Sequence, residues 1–513
     1  MSTQAFQNQP AAASQPPSRI VIVGGGTAGW MTAALLSHTL PEPEYSVTVI
    51  DAGGGGIGVG EATIPSIIRL LRTLGADEAE FMRACNATWK LGIQFCDWRK
   101  GGHNTWHPFG VCGARIDQRD LFSYWLADRQ RPYHSYSLNW AASLAGKSPH
   151  ARNGRSPMAT TGAYAFHLDA ARLAEWLQRR ALSSGAQLVS GRAGQALTDD
   201  AGQVLAVTLE DNTSIRGDLF IDCSGFEGRL IGQCPQDTWI DRSNQLLCDR
   251  AVAVRRPATR VIQPYTTARA LSAGWVWDIP LMDRRGVGYV YSSRFTSDDD
   301  ALTELLQHVG GNDQAAAGEA KFVRMKTGRR TAAWNMNVIA IGLSAGFVEP
   351  LESSGLHLVQ IAVERLLEYF PSSEDAALLR SAYNHTVAAL FDEVLDFVQL
   401  HYLLSDRDEA FWKAAREAAI GPELQHRLRL YDEIGMLDVL QPEAFPDASY
   451  YYLLAGNERL PKRPAALSLA IDRERLQFVL QAILEQNKNA LRQLPLQEEM
   501  LKQLHTAPVA RAS

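Results

Sequence analysis

Hydrophobic residues in the first 370 positions come mainly in short, β-branched or aromatic runs, separated by stretches with helical spacing. This alternation of the two patterns is typical of a sheet with helices packed on its faces. The clearest runs predict strands at 20–23, 47–50, 89–95, 219–221 and 338–341. We therefore expect residues 19–370 to form an α/β body with parallel or mixed sheets.

The pattern changes after Tyr369. Strand-like runs almost vanish there, and long amphipathic stretches at 376–404 and 471–486 predict helices. We expect residues 371–513 to be mainly helical and to cap the body. Two segments show neither the strand nor the helix periodicity. Residues 1–18 are rich in Gln, Ala, Ser and Pro, which predicts a disordered leader. Residues 151–163 are rich in Gly, Ser, Arg and Thr, which predicts a loop.

Composition and charge exclude several classes of protein. Fifty basic against fifty-six acidic residues give a net charge of −6, which offers no electrostatic support for binding nucleic acid. The six cysteines include no C-x-x-C pair, which argues against a disulfide scaffold or a structural zinc site. We expect no bound metal, and reduced thiols favour a cytoplasmic protein.

An uncharged stretch at 20–41 is long enough to span a bilayer, but its glycines divide it into strand, turn and helix. The turn reads Gly24-x-Gly26-x-x-Gly29, the dinucleotide-binding fingerprint, and Asp51 follows the next predicted strand, where a carboxylate holds a ribose hydroxyl. A second run, 53–58, satisfies the same spacing and is interpreted as a flexible loop.

The fingerprint at 24–29 alone does not distinguish an NAD-binding protein from an FAD-binding protein. We expect neither a membrane span nor a membrane partner.

Four segments in this order resemble those of the flavin-dependent halogenases, of which the tryptophan halogenases are best known. They are Gly-Gly-Gly-Thr-Ala-Gly-Trp at 24–30, Gly-Val-Gly-Glu-Ala-Thr-Ile-Pro at 58–65, Trp275-Val-Trp277-Asp-Ile-Pro at 275–280, and Phe-Val-Glu-Pro-Leu-Glu-Ser-Ser-Gly at 347–355. The resemblance implies a Rossmann-like, glutathione-reductase-like FAD-binding body with mixed sheets and a helical C-terminal substrate cap.

The resemblance also implies the cofactors and the reaction. A separate NAD(P)H-dependent flavin reductase supplies FADH2 by diffusion, and O2 with chloride or bromide then yields hypohalous acid, which halogenates an electron-rich aromatic ring such as tryptophan, indole or a derivative. Trp275 and Trp277 would lie beside the flavin, although core packing is the simpler explanation of their alternation. The residues expected at the flavin are Gly24, Gly25, Gly26, Ala28, Gly29, Asp51, Ala62, Trp275, Trp277, Leu343 and Leu356.

Lys90 and Glu352 are the expected catalytic residues. Alternation from Trp89 to Phe95 places the apolar residues on one strand face and Lys90 on the other, which is typical of an ordinary solvated lysine. In the family, however, a lysine in a similar Lys-x-x-Ile-x-Phe context relays active halogen to the substrate. The sequence leaves open whether this lysine forms an N–halogen bond as a neutral amine or a hydrogen bond to hypohalous acid as an ammonium ion.

Glu352 precedes a predicted helix that begins near Ser354, and the amides of Ser354 and Gly355 form a candidate halide site there. The simpler interpretation makes Ser353 or Ser354 an N-cap and Glu352 an acid that compensates the helix dipole. In the family, the corresponding glutamate polarises the halogenating species or accepts the ring proton.

Residues expected at the substrate are His107, Phe109, Tyr451, Tyr452 and Glu458, which match the family by spacing. A half-buried aromatic cluster would also explain the two tyrosines. The positions of the family's second aromatic wall read Lys462 and Arg463. Free indole, an indole derivative or another aromatic therefore fits no worse than tryptophan.

Two other enzyme classes compete with this hypothesis. A flavin aromatic hydroxylase would share the fold, but would carry a Gly-Asp pair where this chain has Gly342-Leu343. A serine hydrolase is suggested by Gly342-Leu-Ser344-Ala-Gly346, the spacing of a nucleophile elbow, although no helix is predicted directly after it. A flavoprotein that only binds or senses is the third alternative.

Overall fold

The computed structural model describes residues 17–53, 61–116, 119–152, 156–310, 318–371, 376–438 and 444–506. The predicted leader lies outside these residues except for Pro17 and Ser18, as does most of the second glycine run, at 54–58. The first three residues of the 58–65 segment are also outside the described chain.

The strands, in chain order, are β1 Arg19–Val23, β2 Ser46–Asp51, β3 Glu61–Ala62, β4 Thr88–Lys90, β5 Gly92–Cys96, β6 Asn104–Pro108, β7 Ala165–Leu168, β8 Gln187–Ser190, β9 Ala193–Thr198, β10 Val204–Leu209, β11 Ser214–Arg216, β12 Leu219–Asp222, β13 Trp239–Asp241, β14 Arg250–Pro257, β15 Thr266–Leu271, β16 Gly274–Pro280, β17 Arg284–Tyr291, β18 Lys321–Arg324, β19 Gly328–Arg330, β20 Trp334–Asn335, β21 Val338–Ala340 and β22 Gly346–Phe347.

The helices are α1 Thr27–Thr39, α2 Ile67–Thr73, α3 Glu78–Ala84, α4 Leu121–Trp125, α5 Leu138–Leu144, α6 Pro157–Thr161, α7 Ala170–Ser183, α8 Asp298–His308, α9 Gly355–Glu368, α10 Ala376–Leu403, α11 Ala410–Arg416, α12 Pro422–Ile434, α13 Asp447–Gly456, α14 Arg473–Gln493 and α15 Gln497–Thr506. Short 3-10 turns at Gly342–Ser344 and Pro350–Glu352 also matter for the site.

A central sheet of the described chain has the strand order β20-β21-β12-β1-β2-β8 and is parallel except at its β20 edge. Strand β1 is almost completely buried apart from Arg19, with helix α1 and strand β11 packed against it. The carboxyl ends of β1, β2 and β12 meet at one edge, where Val23 pairs with both Ile50 and Asp222. Ligands of doubly wound folds bind at such an edge.

The uncharged stretch at 20–41 is therefore strand β1 followed by helix α1, as predicted. In the chain that the structure describes, no helix is long and apolar enough to cross a membrane. All six cysteines are buried and unpaired.

A second sheet supports the other side of the site. Its order is β18-β14-β17-β16-β15-β5-β6, and its pairs are antiparallel except for β5 with β15. Strand β16 carries Trp275 and Trp277, and β6 carries His107. The predicted strand face for the tryptophans is confirmed, because both side chains pack in one buried cluster with Ile279, whereas Val276 packs in another.

The single strand predicted at 89–95 is wrong. The chain leaves one sheet at Lys90 and enters another at Gly92, because Leu91 makes backbone bonds elsewhere, to Pro264 and Phe109. Strand β4 pairs with β7, whereas β5 joins the second sheet. The predicted loop at 151–163 is also partly wrong, because α6 forms within it, capped by the Ser156 side chain.

The described chain beyond residue 371 consists of helices and the loops that connect them. The structure assigns no strand there apart from an isolated bridge at Leu496. Helix α10 confirms the prediction at 376–404, and α14 is longer than the predicted 471–486. Residues 394–402 of α10 are buried, and His401 packs against Phe95 of the second sheet, so this region contributes directly to the site. The division of the chain at residue 370 into an α/β body and a helical cap stays a prediction.

Candidate active site

The glycine turn after β1 forms a cradle with one open position. A Cβ on Gly29 would lie 1.8 Å from the carbonyl oxygen of Gly24, and one on Gly25 would lie 1.9 Å from Cγ of Asp51. A Cβ on Gly26, by contrast, would meet no atom within 4 Å. Since Gly26 also precedes the first turn of α1, open space lies at a helix N-terminus, as a pyrophosphate requires. These residues fit a dinucleotide such as FAD.

Of the other residues expected at the flavin, Asp51 and the turn that carries Leu343 lie close to this glycine turn. Asp51 ends β2 and accepts a hydrogen bond from Gly53 N at 2.9 Å. The turn that carries Leu343 begins at Gly342, where an added Cβ would lie 2.9 Å from Cβ of Ala28 on α1. Ala62 lies on β3, and Leu356 is the second residue of α9.

The two tryptophans of β16 are buried, with ring centroids 6.2 Å apart. The Trp277 ring lies over Gly288, where an added Cβ would be 2.1 Å from Cζ2. No described residue accepts a hydrogen bond from the buried Trp277 Nε1. An orphaned indole N–H fits a polar group supplied by a bound cofactor.

Lys90 is fully buried, so the prediction of an ordinary solvated lysine is wrong. Its Nζ donates hydrogen bonds to Ser353 Oγ at 2.8 Å and to the carbonyl oxygen of Thr63 at 3.1 Å, and it lies 5.1 Å from the Phe109 ring centroid. Burial lowers the pKa of Lys90 to about 7, although Glu352 opposes the shift. Both the amine and the ammonium are therefore populated near neutral pH.

Glu352 is also fully buried, at the end of the Pro350–Glu352 turn. Its Oε2 lies 2.8 Å from His107 Nδ1 and its Oε1 lies 2.8 Å from His401 Nε2. Burial alone would raise the pKa of Glu352, but the two imidazoles outweigh burial and lower this pKa to about 2. Glu352 is consequently an ionised carboxylate held on both sides.

The candidate halide position lies at the start of α9. Ser354 occupies the N-cap, but its side chain makes no capping hydrogen bond, so a simple N-cap role is not supported. The buried Ser354 Oγ has no partner among the described residues, and a Cβ on Gly355 would meet no atom within 4 Å. Open space therefore lies at this helix N-terminus, which favours an anion.

Part of the expected substrate wall is assembled beside Glu352. The His107 ring centroid lies 6.2 Å from that of Phe109 and 6.4 Å from that of Tyr452. His107 also packs against Phe397, at 5.5 Å between centroids. Through Phe109 and His107, this aromatic cluster contacts both Lys90 and Glu352.

Two other residues expected at the substrate, Tyr451 and Glu458, have partners outside the aromatic cluster beside Glu352. The Tyr451 ring is stacked on Phe122, with centroids 4.1 Å apart and planes 6° apart. Glu458 follows the end of α13, where its side chain is 67% exposed and forms an ion pair with Arg99. The carboxylate is thus already neutralised at the surface.

Ser344 does not have the geometry of a hydrolase nucleophile. Its side chain is buried, and Oγ donates to the carbonyl oxygens of Asp222 at 2.5 Å and Ile341 at 3.1 Å. Strand β22 follows the turn, where a nucleophile elbow would lead into a helix. Among the described residues, no group of three His, Cys, Asp or Glu side chains could hold a metal ion.

The chain matches the family model described as tryptophan halogenase over residues 19–473. The chain belongs to the tryptophan halogenase family. The tryptophan 6-halogenase SttH of Streptomyces toxytricini is 37% identical over 88% of this chain and 92% of that protein. The tryptophan 7-halogenase RebH of Lentzea aerocolonigenes is 33% identical over 95% of this chain and 98% of that protein.

Solved structures give the same result. Xcc4156, a flavin-dependent halogenase from Xanthomonas campestris, is 36% identical and superposes with a TM-score of 0.90, covering 97% of this chain and all of that one. This halogenase therefore has the expected FAD-binding fold with mixed sheets and uses FADH2, O2 and halide to halogenate tryptophan or an indole. The hydroxylase and hydrolase alternatives are wrong.

Sequence reasoning missed several residues of this halogenase site. Ser353 and Thr63 receive the hydrogen bonds of Lys90, and His401 contacts Glu352. Neither serine nor threonine in a motif indicates that it binds a lysine. His401 lies near the end of the helical stretch at 376–404 and has mostly apolar neighbours in sequence. A histidine in such a context is usually a core residue.

Proposed function

We propose that this halogenase transfers active halogen through Lys90 to an indole-type ring that need not carry an amino-acid group. One observation carries the proposal: the buried Lys90 Nζ bonds to Ser353, which lies between Glu352 and the open halide position at Ser354 and Gly355. The carboxylate and the proposed halide position thus lie on one short segment, to which Lys90 on β4 is hydrogen-bonded.

A bound FADH2 would supply the electrons that activate O2, and O2 is the oxidant that converts halide into hypohalous acid. The chain does the rest. The amides of Ser354 and Gly355 hold the halide, while Trp275 and Trp277 keep organic substrates away from the flavin. Lys90 receives the active halogen in a site without access to bulk water, so little of it is lost to side reactions.

Glu352 acts as a fixed anion. Because its pKa is lowered to about 2, it stays ionised at neutral pH and orients His107 towards the substrate. A carboxylate near the ring stabilises the positive charge that develops during aromatic substitution and can accept the ring proton afterwards.

The substrate proposal depends on what the pocket lacks. The resemblance implies that a glutamate at the position of Glu458 holds the amino-acid backbone of tryptophan. Here the Glu458 carboxylate pairs with Arg99 at the surface, and Tyr451 is stacked on Phe122. Lys462, at a second-wall position, pairs with Glu433 at 2.9 Å. His107, Phe109 and Tyr452 remain to contact a flat ring, which favours free indole or a simple derivative.

Two further parts of the proposal concern the cell. A separate NAD(P)H-dependent reductase delivers FADH2 by diffusion, since the sequence carries one good dinucleotide fingerprint. The enzyme works in the cytoplasm, where its buried, unpaired cysteines stay reduced.

The test supplies purified enzyme with FADH2, O2 and either bromide or chloride, together with indole, tryptophan and 3-substituted indoles. We expect halogenated products by mass spectrometry, with kcat/KM at least tenfold higher for indole than for tryptophan. Products that gain oxygen instead of halogen would overturn the reaction, and a preference for tryptophan would overturn the substrate assignment.

A further inference from the structure

A second buried carboxyl group lies three residues before Glu352, on the same turn. Glu349 is fully inaccessible to solvent, like Glu352, but its partners are different. It faces the neutral donors Trp275 and Tyr402 rather than imidazoles. Burial therefore raises the pKa of Glu349 to about 7, against the opposing effect of these donors.

One oxygen of Glu349 joins two distant elements. Its Oε1 accepts hydrogen bonds from Trp275 Nε1 at 3.0 Å and from the Tyr402 hydroxyl at 2.5 Å. Trp275 lies on β16 and Tyr402 lies near the end of α10. Strand, helix and turn are thereby fixed at a single point.

Consecutive residues of α10 hold the two carboxyl groups. Tyr402 binds Glu349, and His401 Nε2 lies 2.8 Å from Glu352 Oε1. The orientation of the His401 ring is fixed on the side away from Glu352, because its Nδ1 donates to the carbonyl oxygen of Phe397 at 2.9 Å. A carbonyl oxygen can only accept, so Nδ1 carries a hydrogen, and Nε2 donates to the Glu352 carboxylate only when the imidazole carries a second hydrogen.

We propose that Glu349 is a positioning residue for halogen transfer, which keeps the Trp275 ring and the turn bearing Glu352 in register by binding Trp275 and Tyr402 at once. The inference rests on the proposed roles of Lys90 and Glu352. Without this acceptor, the buried indole N–H of Trp275 loses its partner, and the Tyr402 hydroxyl keeps only its weak contact with Cys248 Sγ at 3.6 Å. Hypohalous acid would then escape before it reaches Lys90.

The variants Glu349→Ala and Glu349→Gln test this directly. Alanine removes the acceptor, whereas glutamine keeps one oxygen for both donors and replaces the second carboxyl oxygen by an uncharged NH2 group. The coupling ratio is measured as halogenated indole formed per FADH2 oxidised, with released hypohalous acid captured by a 1,3-diketone. We expect the ratio to fall at least fivefold in Glu349→Ala, with more captured oxidant, and to stay within twofold of the parent in Glu349→Gln.

A spectroscopic readout needs no flavin. The near-ultraviolet circular dichroism band of Trp275 is identified as the difference between the parent and Trp275→Phe. We expect Glu349→Ala to lose this band and Glu349→Gln to keep it. If Glu349→Ala does not fold, Tyr402→Phe and Trp275→Phe take its place, each removing one hydrogen bond to Glu349 and lowering the coupling ratio at least threefold.

Unchanged coupling in Glu349→Ala, or in both replacement variants, would overturn the inference. Equal losses in the alanine and glutamine variants would also overturn it, because an acceptor would then not be the feature that matters. If the parent enzyme forms no halogenated product at all, the proposed function fails, while the dichroism comparison still tests the link between Glu349 and Trp275.

Discussion

The two ionisable groups at the centre of the site have their pKa values lowered by different causes, burial for Lys90 and two imidazoles for Glu352. Lys90, surrounded by neutral groups apart from Glu352, has a pKa lowered to about 7. Glu352, held by two imidazoles, has a pKa lowered to about 2. Such separation of protonation behaviour is typical of catalytic pairs. It allows an amine to carry halogen beside a permanent anion.

Glu352→Gln should lower kcat for halogenation about 100-fold, because the variant loses the anion near the reacting ring. FAD affinity should stay within twofold, since Glu352 is not among the residues expected at the flavin. The surface variant Glu433→Gln, whose carboxylate is 54% exposed and pairs with Lys462, is the control and should keep full activity. A normal rate in Glu352→Gln would remove this residue from the mechanism.

The same variant should reveal the pH dependence of stability. The pKa of Glu352 falls from 4.5 to about 2 on folding, so its ionised form stabilises the fold above pH 4.5 and loses this effect as the pH falls through 2. At pH 7 we expect Glu352→Gln to lower the free energy of unfolding by about 3 kcal/mol. Denaturant titrations should show this difference shrinking below pH 4.5, and a constant difference would contradict the account.

Single residues were predictable where a motif surrounds them. Glu352, Trp275 and Trp277 could be located from short, recognisable segments, and the structure buries all three. His401 and Glu349 could not, because their partners are distant in sequence and an isolated histidine or glutamate carries no local signal. Only the packing of α10 against the turn brings these groups together.

At the level of elements, two glycines of the turn after β1 have different roles: Gly29 is needed for folding, and Gly26 leaves space for the cofactor. Gly29→Ala places a Cβ 1.8 Å from a backbone oxygen, which should destabilise the protein by about 3 kcal/mol. Gly26→Ala meets no atom, so its melting temperature should stay near that of the parent. Its FAD dissociation constant should nevertheless rise at least tenfold, because the methyl group occupies the cradle.

Calorimetry and flavin fluorescence titration check these two variants side by side. Equal FAD affinity in the parent and Gly26→Ala would show that the cofactor does not approach this turn. Gly101→Ala, at another glycine whose added Cβ meets nothing, serves as the control for both measurements.

Strands and helices were largely predictable from periodicity, and the exception has a physical cause. Alternation from Trp89 to Phe95 is continuous in sequence, but both faces are buried because the chain changes sheets at Leu91. Periodicity reports which side of a strand is apolar, and it does not report which partner strand lies beside it. The burial of Lys90 follows from that change of partner.

At the scale of the whole molecule, the site forms where three parts of the chain meet. The second sheet contributes Trp275 and His107, the turn before α9 contributes Glu352, and the C-terminal helices contribute Tyr452. Composition and motif order were enough to predict the fold and the family. The substrate was not predictable, because it depends on pairs such as Arg99 with Glu458 that join remote segments.

The central claim is that active halogen reaches the substrate through Lys90, and one comparison tests it most directly. Product yield and FADH2 oxidation are measured together for the parent, Lys90→Ala and the control Lys502→Ala, whose lysine is 68% exposed. We predict that Lys90→Ala forms at least 100-fold less halogenated indole while FADH2 oxidation stays within twofold, and that Lys502→Ala matches the parent. An unchanged yield of halogenated indole in Lys90→Ala would contradict the account.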